Sequence, residues 1–463
     1  MMKTSFTLLF AALVLAGCAS APPAAAPALP EVPSAFREAG PSTAPAAASQ
    51  AAWWQAFADP QLDALVQRAE RDNASLHAAA ARVAAARALL RRAEADRLPQ
   101  LQATAGASRE ATPLTGNRPT TNIALGANLS YEIDIAGRLS KARDAASLDA
   151  MEREALLADT RLLVQAEVVR SYFALRAIDA ERALVQGTVA SYRNTLSLTE
   201  RRFAAGDLPE LEVARVRSEL AANESEALAL ERQRSQVEHA LALLVGDAAS
   251  RFTLAALETS GADAPLALPQ VPAGLPSAVL ARRPDVAAAR QAVLAAQARV
   301  GIAQAAWWPT LSLTASGGQA SPELSDLLRS GARTWGIGSL LALPLFDGGQ
   351  RQAGVARAGA EVDLATARLR EQVLVAFRDV EDELASVRLL ADQAEAQRRA
   401  VEAAARVSAL AEARYRNGFV SQLELLDAQR SELRSRRQAL QVRAARYQAT
   451  VGLMRALGGA WQA

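Results

Sequence analysis

Ile123-Ala124-Leu125-Gly126-Ala127-Asn128-Leu129-Ser130-Tyr131-Glu132-Ile133-Asp134 decides the reading of this chain. Ile123, Leu125, Ala127, Leu129, Tyr131 and Ile133 are apolar, and Gly126, Asn128, Ser130, Glu132 and Asp134 lie between them. A period of two is the mark of a strand with one apolar face. Three more segments share it. Leu101, Ala103, Ala105 and Ala107 alternate with Gln102, Thr104 and Ser108, and Leu311, Leu313 and Ala315 with Ser312, Thr314 and Ser316. In the fourth, from Trp335 to Leu345, Trp335, Ile337, Leu341 and Leu343 fit the pattern and Leu340 breaks it. Each segment has the length of a tilted transmembrane strand, roughly 8 to 12 residues. Polar loops, Arg109 to Thr121 and Gly318 to Thr334, join them in pairs. Four strands are too few to close a barrel around a channel. Either they form a soluble sheet, or several chains pool their strands in a membrane.

The strand pairs belong to an internal repeat with an offset of roughly 210 residues. Leu76, Val83 and Leu90 lead to Pro99-Gln100-Leu101, as Val286, Val293 and Val300 lead to Pro309-Thr310-Leu311. Arg202-Phe203-Ala204-Ala205-Gly206 matches Arg414-Tyr415-Arg416-Asn417-Gly418, Leu211 matches Leu423, and Val245-Gly246 matches Leu457-Gly458. Each copy reads as helix, strand pair and long helical hairpin. No proline interrupts Arg138 to Ala205 or Gln350 to Arg416, so each outgoing helix can reach roughly 100 Å. Val373, Phe377, Val380, Leu384, Val387, Ala391 and Ala394 step by four and three, the spacing of coiled-coil packing. Return helices are expected near Leu211 to Val245 and Leu423 to Leu457, after turns at Gly206-Asp207-Leu208-Pro209 and Asn417-Gly418. The return helices are shorter, so the remaining outgoing length is expected to stack against the helices near Leu76 and Val286.

Composition points the same way. Hydrophobic residues are 51% of the 463-residue chain but aromatics only 5%; the alanine excess favours closely packed helices. With 51 bases, 49 acids and a net charge of +2, no basic field exists to hold nucleic acid. His77 and His239 have no companion at zinc spacing. Gly317-Gly318 and Gly348-Gly349 lack any phosphate-loop context and mark strand ends. No catalytic pair of acids stands out, so the chain reads as a non-enzyme with no metal site.

The amino terminus is a leader: Met1-Met2-Lys3, an apolar run from Phe6 to Leu15, then Leu15-Ala16-Gly17-Cys18. Residues 1–17 are expected to be removed as a signal peptide. Residues 18–50, rich in Pro, Ala and Ser, read as a flexible tether. After the leader no run of 18 apolar residues occurs, so a bilayer crossing would need a closed β-barrel. Domain limits are placed at 51–247 for the first repeat, 248–275 for an equatorial linker and 276–463 for the second repeat.

Leu15-Ala16-Gly17-Cys18 resembles the bacterial lipobox, which implies acyl and diacylglycerol lipid on Cys18 and no other cofactor. Three further motifs resemble the outer-membrane factors of TolC, OprM and NodT type across nearly the whole mature chain. They are Trp53-Trp54-Gln55-Ala56-Phe57-Ala58-Asp59-Pro60-Gln61-Leu62, Asp347-Gly348-Gly349 after Pro344-Leu345-Phe346, and Ala413-Arg414-Tyr415-Arg416-Asn417-Gly418 with Leu425-Leu426-Asp427-Ala428-Gln429-Arg430. Tyr131 and Ala136 depart from the family's aromatics. The resemblance implies a mainly α homotrimer whose four strands per chain form a 12-stranded transmembrane barrel over an antiparallel coiled-coil tube. It also implies a lipid-anchored place in the outer membrane, reaching into the periplasm, with a membrane-fusion adaptor and an inner-membrane pump as partners. Ala19 stands where the family's inner-membrane retention signal has Asp.

A passive duct needs a polar lumen and a closed tip rather than catalytic groups. By resemblance, Tyr415, Arg416, Leu423, Asp427 and Arg430 match the family's periplasmic gate, with Leu423 the apolar constriction and Tyr415 and Arg416 bonding across neighbouring helices. Three Asp427 carboxylates near one axis would repel unless paired or bound to cations. By spacing alone, Asp427 and Arg430 equally form a solvated helix pair. Arg430 and Arg437 interrupt the apolar series Leu423, Leu426, Leu433, Leu440, Ala444, Tyr447 and Val451, and their heads are expected to extend to water. Arg202, Phe203 and Glu212 are the matching candidates in the first hairpin. Three functions fit: an efflux duct, favoured as the resistance-nodulation-division type; the duct of a protein exporter; and a coiled-coil lipoprotein spacer without a pore.

Overall fold

The computed structural model describes residues 31–39 and 52–459, apart from 112, 114, 115, 257–267, 270 and 273. Cys18 and the leader lie outside the described residues. A 3-10 turn at Trp53–Phe57 leads to helices α1 (Pro60–Asp72) and α2 (Ala74–Ala95), strands β1 (Gln100–Glu110) and β2 (Thr120–Ile133), and helices α3 (Arg138–Ala204) and α4 (Glu210–Leu244). The second repeat runs α5 (Pro276–Arg282), α6 (Pro284–Ala305), β3 (Thr310–Ser321), β4 (Arg333–Ala342), α7 (Gln350–Arg416) and α8 (Gln422–Ala456). Helices α3 and α7 are 67 residues each, and α4 and α8 are 35 each. Both hairpins are spaced alike: Gln350 and Gln422 each follow their counterparts, Arg138 and Glu210, by 212 residues. As the lengths required, α3 packs against both α2 and α4, and α7 against both α6 and α8. The fourth strand ends at Ala342 rather than near Leu345.

The strands make one open antiparallel sheet in the order β1-β2-β3-β4. Its register sorts the alternation of all four strands onto one surface. Leu101 opposes Leu129 and Ala105 opposes Leu125; Tyr131 opposes Leu313; Leu311 opposes Leu341 and Ala315 opposes Ile337. Directly opposed residues share a face. The other face carries Thr104, Asn128, Ser130, Ser312, Thr314 and Ser316, with Asn128 Nδ2 donating to Thr104 Oγ1 at 3.2 Å. Among the described residues nothing covers the apolar face: Trp335 is 80% exposed and Ile337 81%. From Ile123 to Ile133 a strand tilted by about 40°, as in transmembrane barrels, would rise roughly 26 Å, close to the apolar band of such a barrel. Among the described residues β1 and β4 are each paired on one side only. No described helix is long and apolar enough to cross a membrane.

Glycines on the polar face let the paired strands β2 and β3 approach closely. A Cβ at Gly318 would lie 2.4 Å from the Leu125 carbonyl oxygen and 2.7 Å from the Gly126 Cα. Corners from strand to helix use left-handed glycines, Gly137 at φ 71° and Gly349 at φ 92°. A carboxylate caps each helix that follows. Asp134 accepts from the amides of Leu139 and Ser140 at 3.0 and 2.8 Å. Asp347 accepts from those of Gly349 and Arg351 at 3.0 and 3.1 Å. Arg351 also donates its Nε to Asp347 at 2.5 Å, which holds that carboxyl below the usual range, and its guanidinium lies 4.5 Å over the Trp307 ring. Trp307 and Trp308 are half-exposed just before β3, as aromatics at a membrane boundary are.

The main core sits midway along the helices. Trp53, Trp54 and Phe57 are buried there against α3, and the Phe173 and Tyr447 rings stack at 4.5 Å, joining α3 to α8 of the other repeat. Trp53 Nε1 donates to Gln165 at 3.0 Å, and the Tyr172 hydroxyl donates to Asp59, the cap of α1. Buried Arg176 and Asp179, with Arg234, tie α3 to α4 and to the carbonyls of Leu254 and Ala255. The expected flexible tether is pinned in part. Phe36 is buried beside Val380 and Leu384, and the amides of Arg37 and Glu38 donate to Glu381 at 2.7 and 3.0 Å.

Two outcomes test this packing. Gly318→Val should cost about 1–3 kcal/mol and lower the yield of heat-resistant folded protein in detergent, whereas Gly106→Val, which meets nothing within 4 Å, should not. Glu381→Ala should speed amide hydrogen exchange at Arg37 and Glu38 and leave exchange in α3 unchanged.

Candidate gate at the helical tips

The two hairpin tips are built alike. The Asp207 amide donates to the Arg202 carbonyl and that of Gly206 to Phe203, both at 2.9 Å; the Phe419 amide donates to Arg414 at 2.9 Å and that of Gly418 to Tyr415 at 3.0 Å. These are Schellman closures, which require a left-handed residue past the helix end. Gly206 at φ 82° and Gly418 at φ 75° supply it. Ser421 then caps α8 by accepting from the Glu424 amide at 3.3 Å.

The candidate residues divide into three groups. Arg416 pairs with Glu412 on its own helix, and the half-buried Tyr415 hydroxyl makes no hydrogen bond among the described residues. Within the chain, therefore, neither makes the cross-helix bond that the resemblance implies. Leu423 is 40% exposed, and Asp427 is exposed with Arg430 Nη1 at 3.1 Å. In the first hairpin Arg202 and Phe203 are exposed, and Glu212 pairs with Arg215 at 3.2 Å.

Arg430 and Arg437 stay partly exposed but reach across to acids of the first hairpin. Arg430 Nη2 meets Glu219 of α4 at 2.5 Å. Arg437 meets Glu181 of α3 at 2.7 Å and Glu226 of α4 at 2.5 Å. Both rungs to α4 join residues 211 apart, one heptad from each other. Beside the Glu219–Arg430 rung lies a small core of Tyr192, Val216 and Leu426. Burial, and then the Glu219 charge, push the Tyr192 phenol up to about 12, so it stays protonated. The hydrogen bond that Arg430 donates to Glu219 likewise raises the pKa of Arg430 and keeps it charged. Nearer the tip, Gln422 Nε2 donates to buried Thr199 at 3.3 Å. Glu181, Tyr192, Thr199, Glu219, Glu226 and Gln422 are the residues that the sequence reading missed. Glu219 and Glu226 match the seven-residue step of Arg430 and Arg437, so a search for paired heptads would have found them.

The arrangement binds one hairpin to the other by exposed or half-buried ion pairs over an apolar seam. It offers no nucleophile beside a base, and no group of three metal-ligating side chains gathers among the described residues.

The chain is similar to known proteins over its whole length. The family described as "Outer membrane efflux protein" matches residues 65–247 and 275–459. The antibiotic efflux pump outer membrane protein ArpC of Pseudomonas putida is 32% identical, covering 100% of this chain and 96% of that protein. The cation efflux system protein CusC of Escherichia coli is 32% identical over 97% of each. A crystal structure of CusC superposes with a TM-score of 0.84 at 29% identity, covering 95% of this chain and 100% of that one. This chain belongs to the outer membrane efflux protein family.

Proposed function

We propose that three copies of this chain form the outer-membrane duct of a tripartite efflux pump. Each copy gives four strands to a 12-stranded barrel and its long helices to a periplasmic tube. The observation that carries this reading is the open sheet with one bare apolar face and two unpaired edges. In lipid every backbone amide and carbonyl must be bonded, which only closure of the sheet achieves. A coiled-coil spacer would have no use for the apolar face.

The tip is the gate. Leu423 and Asp427 of three copies converge on the axis, and Arg430 holds each Asp427 while tying α8 to α4. A membrane-fusion adaptor opens this tip, and an inner-membrane pump loads the duct. ArpC is named for antibiotic and CusC for cation efflux; the polar strand face here is mostly hydroxyl, amide and glycine, which suits a duct that takes what the pump supplies. Cys18 carries the lipid that anchors each copy to the outer membrane.

Planar-bilayer conductance tests the duct and its gate together. Wild type should pass small or flickering currents. Asp427→Ala with Arg430→Ala deletes the axial acid and unties the tip, and currents should rise about tenfold if the change costs the closed state about 1.4 kcal/mol. Equal, large currents from both would remove the gate and keep the duct. No current from inserted trimers would leave the spacer. Separately, Cys18→Ser should abolish palmitate labelling and reduce the amount of protein in the outer membrane.

A further inference from the structure

The apolar band on the sheet has two borders, and both run obliquely to the hydrogen-bond ladder. Toward the helices, the row through Leu101 continues as Leu129, Ala315 and Ile337. On β4 the apolar alternation goes on to Leu341, four residues past Ile337. Toward the loops, the row through Arg333 continues as Gln319, Leu125 and Ala105. On β1 the alternation goes on through Ala107 and stops at Arg109, four residues past Ala105. The two shifts have the same sense. Crossing from the first strand to the fourth covers about 14 Å, and a tilt near 40° then calls for a shift of about 12 Å along the strand, or three to four residues. Tilted so, the band lies level in a membrane, and Arg109 and Arg333 stand at one height on its loop border.

Both arginines belong to the apolar face: Arg109 opposes Thr121, and Arg333 opposes Gln319. Both are exposed, and neither guanidinium has a hydrogen bond or ion pair among the described residues. The acids of this end do not neutralise them. Alternation turns Glu110 to the polar face opposite Thr120. Asp326 is held by Arg329 at 3.2 Å, and Glu323 lies in the loop after β3, paired with neither. Trp335, 80% exposed, stands two residues from Arg333 on the same face. An indole at that depth marks the passage from acyl chains to headgroups.

We propose that Arg109 and Arg333 clamp the phosphate of a phosphorylated glycolipid in the outer leaflet of the membrane. The proposal rests on the trimeric barrel above, whose closure makes β1 of one copy the neighbour of β4 of the next. Each seam then carries one Arg109 and one Arg333 side by side at the same height. Guanidinium forks take phosphate oxygens two at a time. The rows beneath, with Leu125, Trp335 and Ile337, supply an apolar wall for acyl chains. Free phosphate would satisfy the guanidiniums but leave that wall unused, so the occupant is a lipid. The loop border is the end of the sheet remote from the helices; with the helical tube in the periplasm, it faces the outer leaflet. A lipid held there bridges two copies at the rim.

Native mass spectrometry of detergent-purified protein, titrated with bisphosphorylated lipid A, tests the clamp. Wild-type trimers should retain the lipid, and Arg109→Gln with Arg333→Gln should bind it about tenfold more weakly. Arg329→Gln, whose guanidinium is already paired, should bind as wild type does. Lipid A stripped of its phosphates should bind wild type and the double variant alike. Equal binding of the phosphorylated lipid by wild type and the double variant, or an equal loss in Arg329→Gln, would overturn the clamp and spare the trimer. Full displacement by an equal concentration of inorganic phosphate would overturn the lipid as occupant. Protein that is monomeric in detergent would overturn the barrel and the clamp together. If the double variant does not assemble, Arg109→Gln and Arg333→Gln alone should each bind several-fold more weakly, and unchanged binding in either would overturn the clamp.

Discussion

A strand in lipid has no water to bond, and everything in this fold answers to that constraint. Four strands bring their apolar side chains to one face and their hydroxyls and amides to the other. The single chain can satisfy neither face nor edge: the apolar face has no core to meet, and β1 and β4 each keep one row of unpaired amides and carbonyls. Burial within the chain therefore cannot be what orders this sheet. Lipid on one side, water on the other and further strands at the edges supply what the chain lacks. The glycine at 318 belongs to the same account, because β2 and β3 approach there too closely to leave room for a Cβ.

The helices solve a different problem, that of carrying a wide wall far from the membrane with few bulky residues. Two 67-residue helices run out, and each is flanked by a short helix near the sheet and a 35-residue return helix beyond it. Where the short and return helices meet, the wall would be weakest. There the aromatic opening motif, the Arg176–Asp179–Arg234 network and the docked Phe36 segment are concentrated. Buried ion pairs add little net stability against desolvation, yet removing one partner is costly. Their effect is to fix which helix faces meet, a specificity that an alanine-rich surface lacks.

At the tip the balance shifts from burial to exchangeable polar contacts. Arg430 and Arg437 are partly exposed, so solvent screens their pairs and each pair is worth little alone. Together with Tyr192 and Leu426 they make a seam that holds but can be undone. That suits the gate proposed for this tip, whose two states would lie within a few kcal/mol of each other.

Much of this was legible in the sequence. Period-two alternation located the four strands, the absence of proline bounded the long helices, and the repeat of Arg202–Gly206 at Arg414–Gly418 placed both tips, because these signals are local and follow from backbone geometry. The fourth strand was read too long because Leu343 and Leu345 continue the alternation past the last ladder bond. Two features depended on tertiary structure. Phe36 docks because α7 and α8 leave a pocket for it, which no property of the Pro/Ala-rich segment announces. Arg430 and Arg437 find Glu219, Glu226 and Glu181 because two hairpins 212 residues apart lie side by side. The sequence by itself determined the elements and the faces they present, since periodicity is written residue by residue. Only the tertiary structure decided which charges meet, since a charge in a seam has no preferred partner until the neighbouring helix is in place.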